Sequence, residues 1–292
     1  MQAEPRQTFI AIDNDQGAGE ASVLEWGPAD RPVDIVFSHA NGFNALTYRA
    51  ILQPLAEAGL RILAMDQRGH GYSRLPAAIE GRTSWTGLAD DLVAVLDAMS
   101  VKSAVLAGHS MGGTISLFAA ARRPDLVKAL GLFDPVIMAR EMLERARTGL
   151  LTDSPLAQGA LRRRAVFPDK AAVLASYAGK GAFKTWPEAM LADYVEAGFR
   201  SAKGGEVELA CAPAWEASNF STHAHDPWAA FAESRCPIRI LKAEVGSTCS
   251  AAEGDLTADG RIRIETVPGT SHFLPMEVPE RVRMVLRELA AA

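Results

Sequence analysis

Hydrophobic positions along this chain follow two rhythms. Short apolar-rich runs of five to seven residues occur at Val33–Ser38, Arg61–Met65, Val101–Ala107 and Ala129–Phe133. Each has the length and composition of a strand buried on both faces. Between them lie longer stretches with apolar residues at three- and four-residue spacing. Tyr48–Ala58 stops at Gly59, Trp85–Met99 places Leu88, Leu92, Val95, Leu96 and Met99 on one face, and Gly113–Ala121 follows the third run. This alternation of strand and helix predicts an α/β fold with a mostly parallel central sheet flanked by helices. Thr8–Ile12 and Ala21–Glu25, separated by a Gly-rich turn, predict a leading antiparallel hairpin. The alternation resumes with Ile238–Lys242, Ile262–Val267 and a helix over Val278–Ala290.

The segment between has another texture. From Ala139 to about Trp228 the pattern is helical, with no strand runs, and is broken at Thr152-Asp153-Ser154-Pro155, at Pro168, at Gly179–Gly181 and at Gly204-Gly205. It predicts a helical lid, residues 139–228, inserted after the sixth strand of a core formed by residues 1–138 and 229–292. A lid there would cover the carboxyl edge of the sheet, where open α/β sheets bind ligands.

Composition narrows the class. The 292 residues carry 30 Lys and Arg against 35 Asp and Glu, a net charge of −5, and no basic run fit for nucleic acid. Arg162-Arg163-Arg164 reads as a solvated helix face. The start lacks a cationic, then apolar, leader, and no stretch is long and apolar enough to span a bilayer, so a soluble cytoplasmic protein with no membrane partner is expected. Cys211, Cys236 and Cys249 have neither disulfide nor zinc spacing and are expected reduced and packed. No Walker loop and no G-x-G-x-x-G opens the first βα unit, so no nucleotide cofactor is expected, and no metal is called for. His223 and His225 have ligand spacing without a third ligand and are expected to form a partly exposed lid pair.

The candidate chemistry sits at strand ends. Gly108-His109-Ser110-Met111-Gly112 is G-x-S-x-G between a predicted strand and a predicted helix. A sharp turn there raises a serine hydroxyl and aims the Met111 N–H at a developing oxyanion, whereas the bland reading is an ordinary Gly/Ser loop. A serine needs a base. His272 follows the last strand run, in Pro268-Gly269-Thr270-Ser271-His272-Phe273, where it returns to the same sheet edge.

GHSMGG, GTSHF, Ser38-His39-Ala40-Asn41-Gly42-Phe43 and Asp66-Gln67-Arg68-Gly69-His70-Gly71-Tyr72-Ser73 together resemble the α/β-hydrolase fold superfamily, over Val33 to His272 and in the family's order. The resemblance implies a Ser110–His272–acid triad. It also implies an oxyanion hole from the Met111 N–H and an N–H of the HANGF loop, from Asn41 or alternatively Phe43. HANGF departs from the common His-Gly-x-Pro. The acid usually follows the Ile238–Lys242 strand as G-x-x-D, but this chain reads Ala243-Glu244-Val245-Gly246. Asp134, at the end of the preceding core strand, is the favoured acid, and Glu244 is the alternative. Asp66 and Arg68 are expected to form a structural ion pair. A serine nucleophile points away from the dehalogenases and epoxide hydrolases of this fold. The expected reaction is hydrolysis of an ester, thioester or lactone of a small, largely apolar substrate through an acyl-enzyme, beneath a lid rich in aromatic residues. C–C bond hydrolysis or lysis by the same triad, haloperoxidase-like chemistry and a non-enzymatic receptor role stay open. The oligomeric state is not set by the sequence.

Overall fold

The computed structural model describes residues 4–148, 154–252 and 260–292. In chain order its strands are β1 (Arg6–Ile12), β2 (Gly19–Trp26), β3 (Ile35–Ser38), β4 (Ile62–Met65), β5 (Ala104–His109), β6 (Val127–Phe133), β7 (Val166–Phe167), β8 (Phe199–Ser201), β9 (Val207–Leu209), β10 (Ile238–Val245) and β11 (Ile262–Ser271). The α-helices are α1 (Arg49–Glu57), α2 (Thr86–Ala98), α3 (Met111–Arg122), α4 (Arg140–Arg147), α5 (Pro155–Leu161), α6 (Lys170–Tyr177), α7 (Glu188–Gly198), α8 (Pro213–Asn219), α9 (Pro227–Glu233), α10 (Leu274–Glu277) and α11 (Pro279–Ala291).

Eight strands form one sheet in the order β1-β2-β4-β3-β5-β6-β10-β11. The hairpin β1–β2 and the pair β2–β4 are antiparallel, and every pairing from β4 to β11 is parallel. Side chains of the central strands alternate between two apolar layers. Val36, Leu63 and Leu106 pack with α2 and α3 on one face, through Leu88, Leu92, Val95 and Ile115. Ile35, Phe37, Ala64 and Val105 pack with α1 and α11 on the other, through Ile51, Leu55, Val282 and Leu286. The runs are therefore apolar-rich because both faces are covered. Chain progression reverses at β3, which lies between β4 and β5. The loops leaving β3 and β5 flank this switch point, where a crevice opens at the carboxyl ends of the strands.

The insertion between β6 and β10 is mainly helical, as expected, but it also holds a three-stranded antiparallel sheet, β7-β9-β8. Strands of two and three residues carry too little alternation to register as a period. At the break before α5, Ser154 accepts the Ala157 N–H as N-cap with Pro155 next to it; Thr152 and Asp153 lie outside the described residues.

Two further expectations are corrected. Asp66 does not pair with Arg68. Its buried carboxylate accepts the Ala45 and Tyr72 N–H groups at 2.8 and 2.9 Å, whereas Arg68 forms a fully buried pair with Asp91 at 2.8 Å. Of the expected partly exposed pair, His223 is partly exposed and His225 is not. His225 is buried against Trp85 and Phe118 and accepts the Trp85 N–H, and burial lowers its pKa to about 3. No cluster of three metal-ligating side chains occurs among the described residues, and no helix among them is long and apolar enough to cross a membrane. The three cysteines are free and buried.

Candidate active site at the switch point

The β5–α3 turn is tightly constrained. Ser110 sits at φ +55°, ψ −123°, a conformation that L-residues rarely adopt. A side chain at Gly108 would run into the Gly112–Gly113 backbone, and one at Gly112 would strike the carbonyls of Ser38 and His39. The two outer glycines of G-x-S-x-G thus let the turn close on itself and let the start of α3 press against the end of β3. The strained serine is anchored by its N–H, which donates to the Phe133 carbonyl at 3.0 Å.

His272 Nε2 lies 3.0 Å from Ser110 Oγ, and His272 Nδ1 lies 2.6 Å from Asp134 Oδ2. Residues 138 and 162 positions from His272 thereby meet in one hydrogen-bonded row. Asp134 follows β6 with φ +43° and is completely buried. Besides His272 it receives the Ala243 N–H at 2.9 Å and the Ser247 hydroxyl at 2.5 Å on Oδ1, and the Thr248 N–H at 3.1 Å on Oδ2. Burial alone would raise its pKa. Hydrogen bonds from His272, Ser247 and Ala243 outweigh that and hold the carboxyl below its ordinary value of 3.8. Glu244 lies elsewhere: its exposed carboxylate accepts the Gly269 N–H at 2.9 Å and makes no bond to His272.

The HANGF loop is equally specified. The Ala40 N–H donates to the Tyr48 hydroxyl at 3.2 Å, the Gly42 N–H to His70 Nε2 at 3.0 Å, and the Phe43 N–H turns back to the Ala40 carbonyl at 3.1 Å. The Asn41 N–H is the one donor from Ala40 to Phe43 without an acceptor among the described residues, and the Met111 N–H, at the start of α3, also lacks one. Of the two loop donors considered from sequence, Asn41 is open and Phe43 is spent.

His109 faces inward from the elbow. Its Nδ1 accepts the Tyr48 hydroxyl at 2.8 Å and its Nε2–H donates to the His272 carbonyl at 2.7 Å. Desolvation, then the neighbouring His272 charge, lower its pKa to about 3, which fixes it neutral in these roles. One buried imidazole–phenol bridge thus runs from the base's loop to the Ala40 N–H.

The sequence reading did not identify several residues of this neighbourhood. Ser247 and Thr248 occupy the loop after β10 where an acid was sought and not found; that loop was the available signal. Arg163 is not on a solvated helix face. It lies in the turn after α5, half-buried, with Nη1 2.5 Å from Glu216 Oε2 and Nη2 2.8 Å from the Tyr194 hydroxyl. Its Nη1 and the Glu216 carboxylate stand directly over Gly42. The lid aromatics divide. Phe167, Tyr177 and Phe199 pack on one another within the insertion, whereas Trp186 and Tyr194 reach Phe43, and Trp186 also reaches Phe273, next to the base. The buried Trp186 indole N–H has no partner among the described residues.

Comparison with known proteins agrees with this architecture. The chain is 28% identical over 278 residues to the 2-(acetamidomethylene)succinate hydrolase of Mesorhizobium japonicum, covering 93% of this chain and 92% of that one. A crystal structure of an E-2-(acetamidomethylene)succinate hydrolase superposes with a TM-score of 0.74 at 25% identity, covering 98% of this chain and all of the other. Higher identities are local. They are 39% over 126 residues with an epoxide hydrolase of Caballeronia sordidicola (41% of this chain) and 34% over 116 residues with the 2-hydroxymuconate semialdehyde hydrolase of Pseudomonas sp. CF600 (39% of this chain). Those matches span only 36% and 40% of the relatives' own lengths. Residues 35–196, more than half of the sequence, match the α/β hydrolase fold family, and the chain belongs to that family.

Proposed function

We propose that the protein is a serine hydrolase of a small carbonyl compound carrying a carboxylate, and that the bond broken joins the attacked carbonyl to a carbon or nitrogen leaving group. This reading replaces the apolar ester expected from the sequence and takes up the C–C hydrolase alternative. The observation that carries it is the Ser110–His272–Asp134 row with two open N–H groups beside it. In the reaction His272 Nε2 takes the Ser110 proton as Oγ attacks the carbonyl. Asp134 keeps Nδ1 protonated and steadies the imidazolium, while the Asn41 and Met111 N–H groups receive the oxyanion. His272 then gives its proton to the departing carbon or nitrogen, and water, activated by the same imidazole, releases the acyl group and restores Ser110. A carbon leaving group requires a second carbonyl in the substrate to hold its electron pair. Residues 139–228 act as the cap that excludes bulk water.

Two features favour an anionic substrate over a plain ester. The relative aligned over nearly its whole length is named for a substituted succinate, and the semialdehyde hydrolase for a muconate derivative. Arg163 stands over the HANGF loop with its Nε–H and one Nη1–H lacking acceptors among the described residues, and a guanidinium suits a carboxylate. The test compares kcat/KM for (acetamidomethylene)succinate and hydroxymuconate semialdehyde with that for p-nitrophenyl acetate. The reading expects at least one carboxylate substrate to exceed the neutral ester. In Arg163→Gln/Glu216→Gln, which removes both charges together, KM for that substrate rises about tenfold or more with the ester unaffected. Turnover confined to the neutral ester would overturn it.

A further inference from the structure

The open N–H of Asn41 belongs to a residue whose side chain is entirely engaged by the insertion. Asn41 Nδ2 donates to the Glu216 carbonyl of α8 at 3.0 Å, and Asn41 Oδ1 accepts Asn219 Nδ2, at the end of the same helix, at 2.9 Å. Asn219 is fully buried. Its own Oδ1 accepts Arg82 Nη2 at 2.9 Å, and its carbonyl accepts the Trp85 indole N–H at 3.0 Å. Arg82 is fixed in turn by the Ser218 hydroxyl at 2.8 Å and by stacking 3.9 Å above the Trp215 ring, whose N–H donates to the Arg68 carbonyl. Burial, then Arg68, lower the Arg82 pKa to about 10, so it stays cationic at neutral pH.

We propose that Asn219 and Arg82 are positioning residues that hold the Asn41 peptide in its donor orientation, so the oxyanion hole is complete only when α8 is seated. The inference rests on the oxyanion role given to Asn41 under the proposed function. A carboxamide can swing by rotating about χ2, and among the described residues both side-chain bonds of Asn41 go to the insertion. What stops the rotation is polarity. With Nδ2 facing a carbonyl and Oδ1 facing an amide donor, the flipped rotamer sets oxygen against oxygen and N–H against N–H. Arg82 fixes Asn219 by the same logic, because a cation at its Oδ1 leaves only the NH2 for Asn41. The departure of HANGF from His-Gly-x-Pro thereby acquires a use: the side chain at the donor position reports the state of the cap.

The direct test is the rate at which a fluorophosphonate labels Ser110 in the full chain, measured per labelled site by intact mass, alongside the thermal midpoint. The reagent's phosphoryl oxygen uses the same two N–H groups as a carbonyl. Asn219→Asp keeps size and the Arg82 bond but has no N–H for Asn41 Oδ1. Labelling per site slows on the order of 10- to 100-fold, below the loss seen when a direct oxyanion donor is removed. Arg82→Ala slows it less, and remains informative where Asn219→Asp fails to fold. Wild-type rates in folded Asn219→Asp and Arg82→Ala, or a lower labelled fraction with an unchanged rate, overturn the inference and leave Ser110 as nucleophile. A wild-type chain that is folded yet unlabelled at Ser110 overturns the proposed function itself.

Discussion

The ends of β6 and β10 are neighbours in the sheet, and each presents one carboxylate to the carboxyl edge. Asp134, after β6, is buried, sits at positive φ, and its carboxylate is hydrogen-bonded by Ala243, Ser247, Thr248 and His272. Glu244, near the end of β10, is exposed and closes a local contact with the Gly269 N–H. A carboxylate after β6 reaches the His272 imidazole because parallel strands deliver their ends to one edge. The β10 loop has not become idle. Gly246-Ser247-Thr248 lacks a carboxylate and supplies two hydroxyls and an N–H to the carboxylate next door. An acid placed here therefore needs a neighbouring loop that neutralises the cost of burying it, and position along the chain matters less than that supply of donors.

Three perturbations separate the two strand ends. Asp134→Asn cannot hold His272 in the tautomer with Nδ1 protonated, and kcat should fall about a thousand- to ten-thousand-fold in steady-state assay, while Glu244→Gln should stay within about twofold of wild type. Ser247→Ala combined with Thr248→Val removes two hydroxyl donors from Asp134. The expected outcome is a loss of about tenfold in kcat. The smallest effect is on stability. The folded pKa of Asp134 lies below its ordinary 3.8, so the ionised group stabilises the fold fully above that value. The contribution is lost as pH falls through 3.8 toward the depressed folded value. Denaturant titrations should show a wild-type minus Asp134→Asn difference that is flat at pH 5–8 and shrinks below pH 4. The same subtraction with Glu244→Gln should show no comparable step.

What could be read from sequence follows from how each feature is encoded. Buried parallel strands write themselves as apolar-rich runs, and β3, β4, β5 and β6 fall on such runs, whereas β10 and β11, toward the sheet edge, mix apolar with charged positions. The meeting of Ser110 and His272 was readable because a tight elbow demands glycine at fixed offsets and because a loop after a late parallel strand returns to the same edge. Asp134 was readable only as one of two carboxylates, since the difference between them lies in Ala243, Ser247 and Thr248, more than a hundred positions away. Residues through which the insertion meets the core left the weakest trace. Arg163 reads like any charged residue in a run of three, and its half-buried place over Gly42 depends on how α5 and α8 pack. Asn219 has no local signature, because its partners Asn41 and Arg82 come from two core loops. Asp66 and Arg68, two apart in sequence, invited a pairing that the fold denies by giving Arg68 to Asp91.

The central claim is that Ser110 is activated through His272 by the carboxylate after β6. It is tested most directly by fluorophosphonate labelling rates for wild type, Asp134→Asn and Glu244→Gln at neutral pH, with the modified residue identified by peptide mass. The account predicts rapid labelling of Ser110 in wild type and Glu244→Gln, and labelling slowed by at least about a thousandfold in Asp134→Asn. Slow labelling of Glu244→Gln beside a normal Asp134→Asn, or modification at a residue other than Ser110, would contradict it.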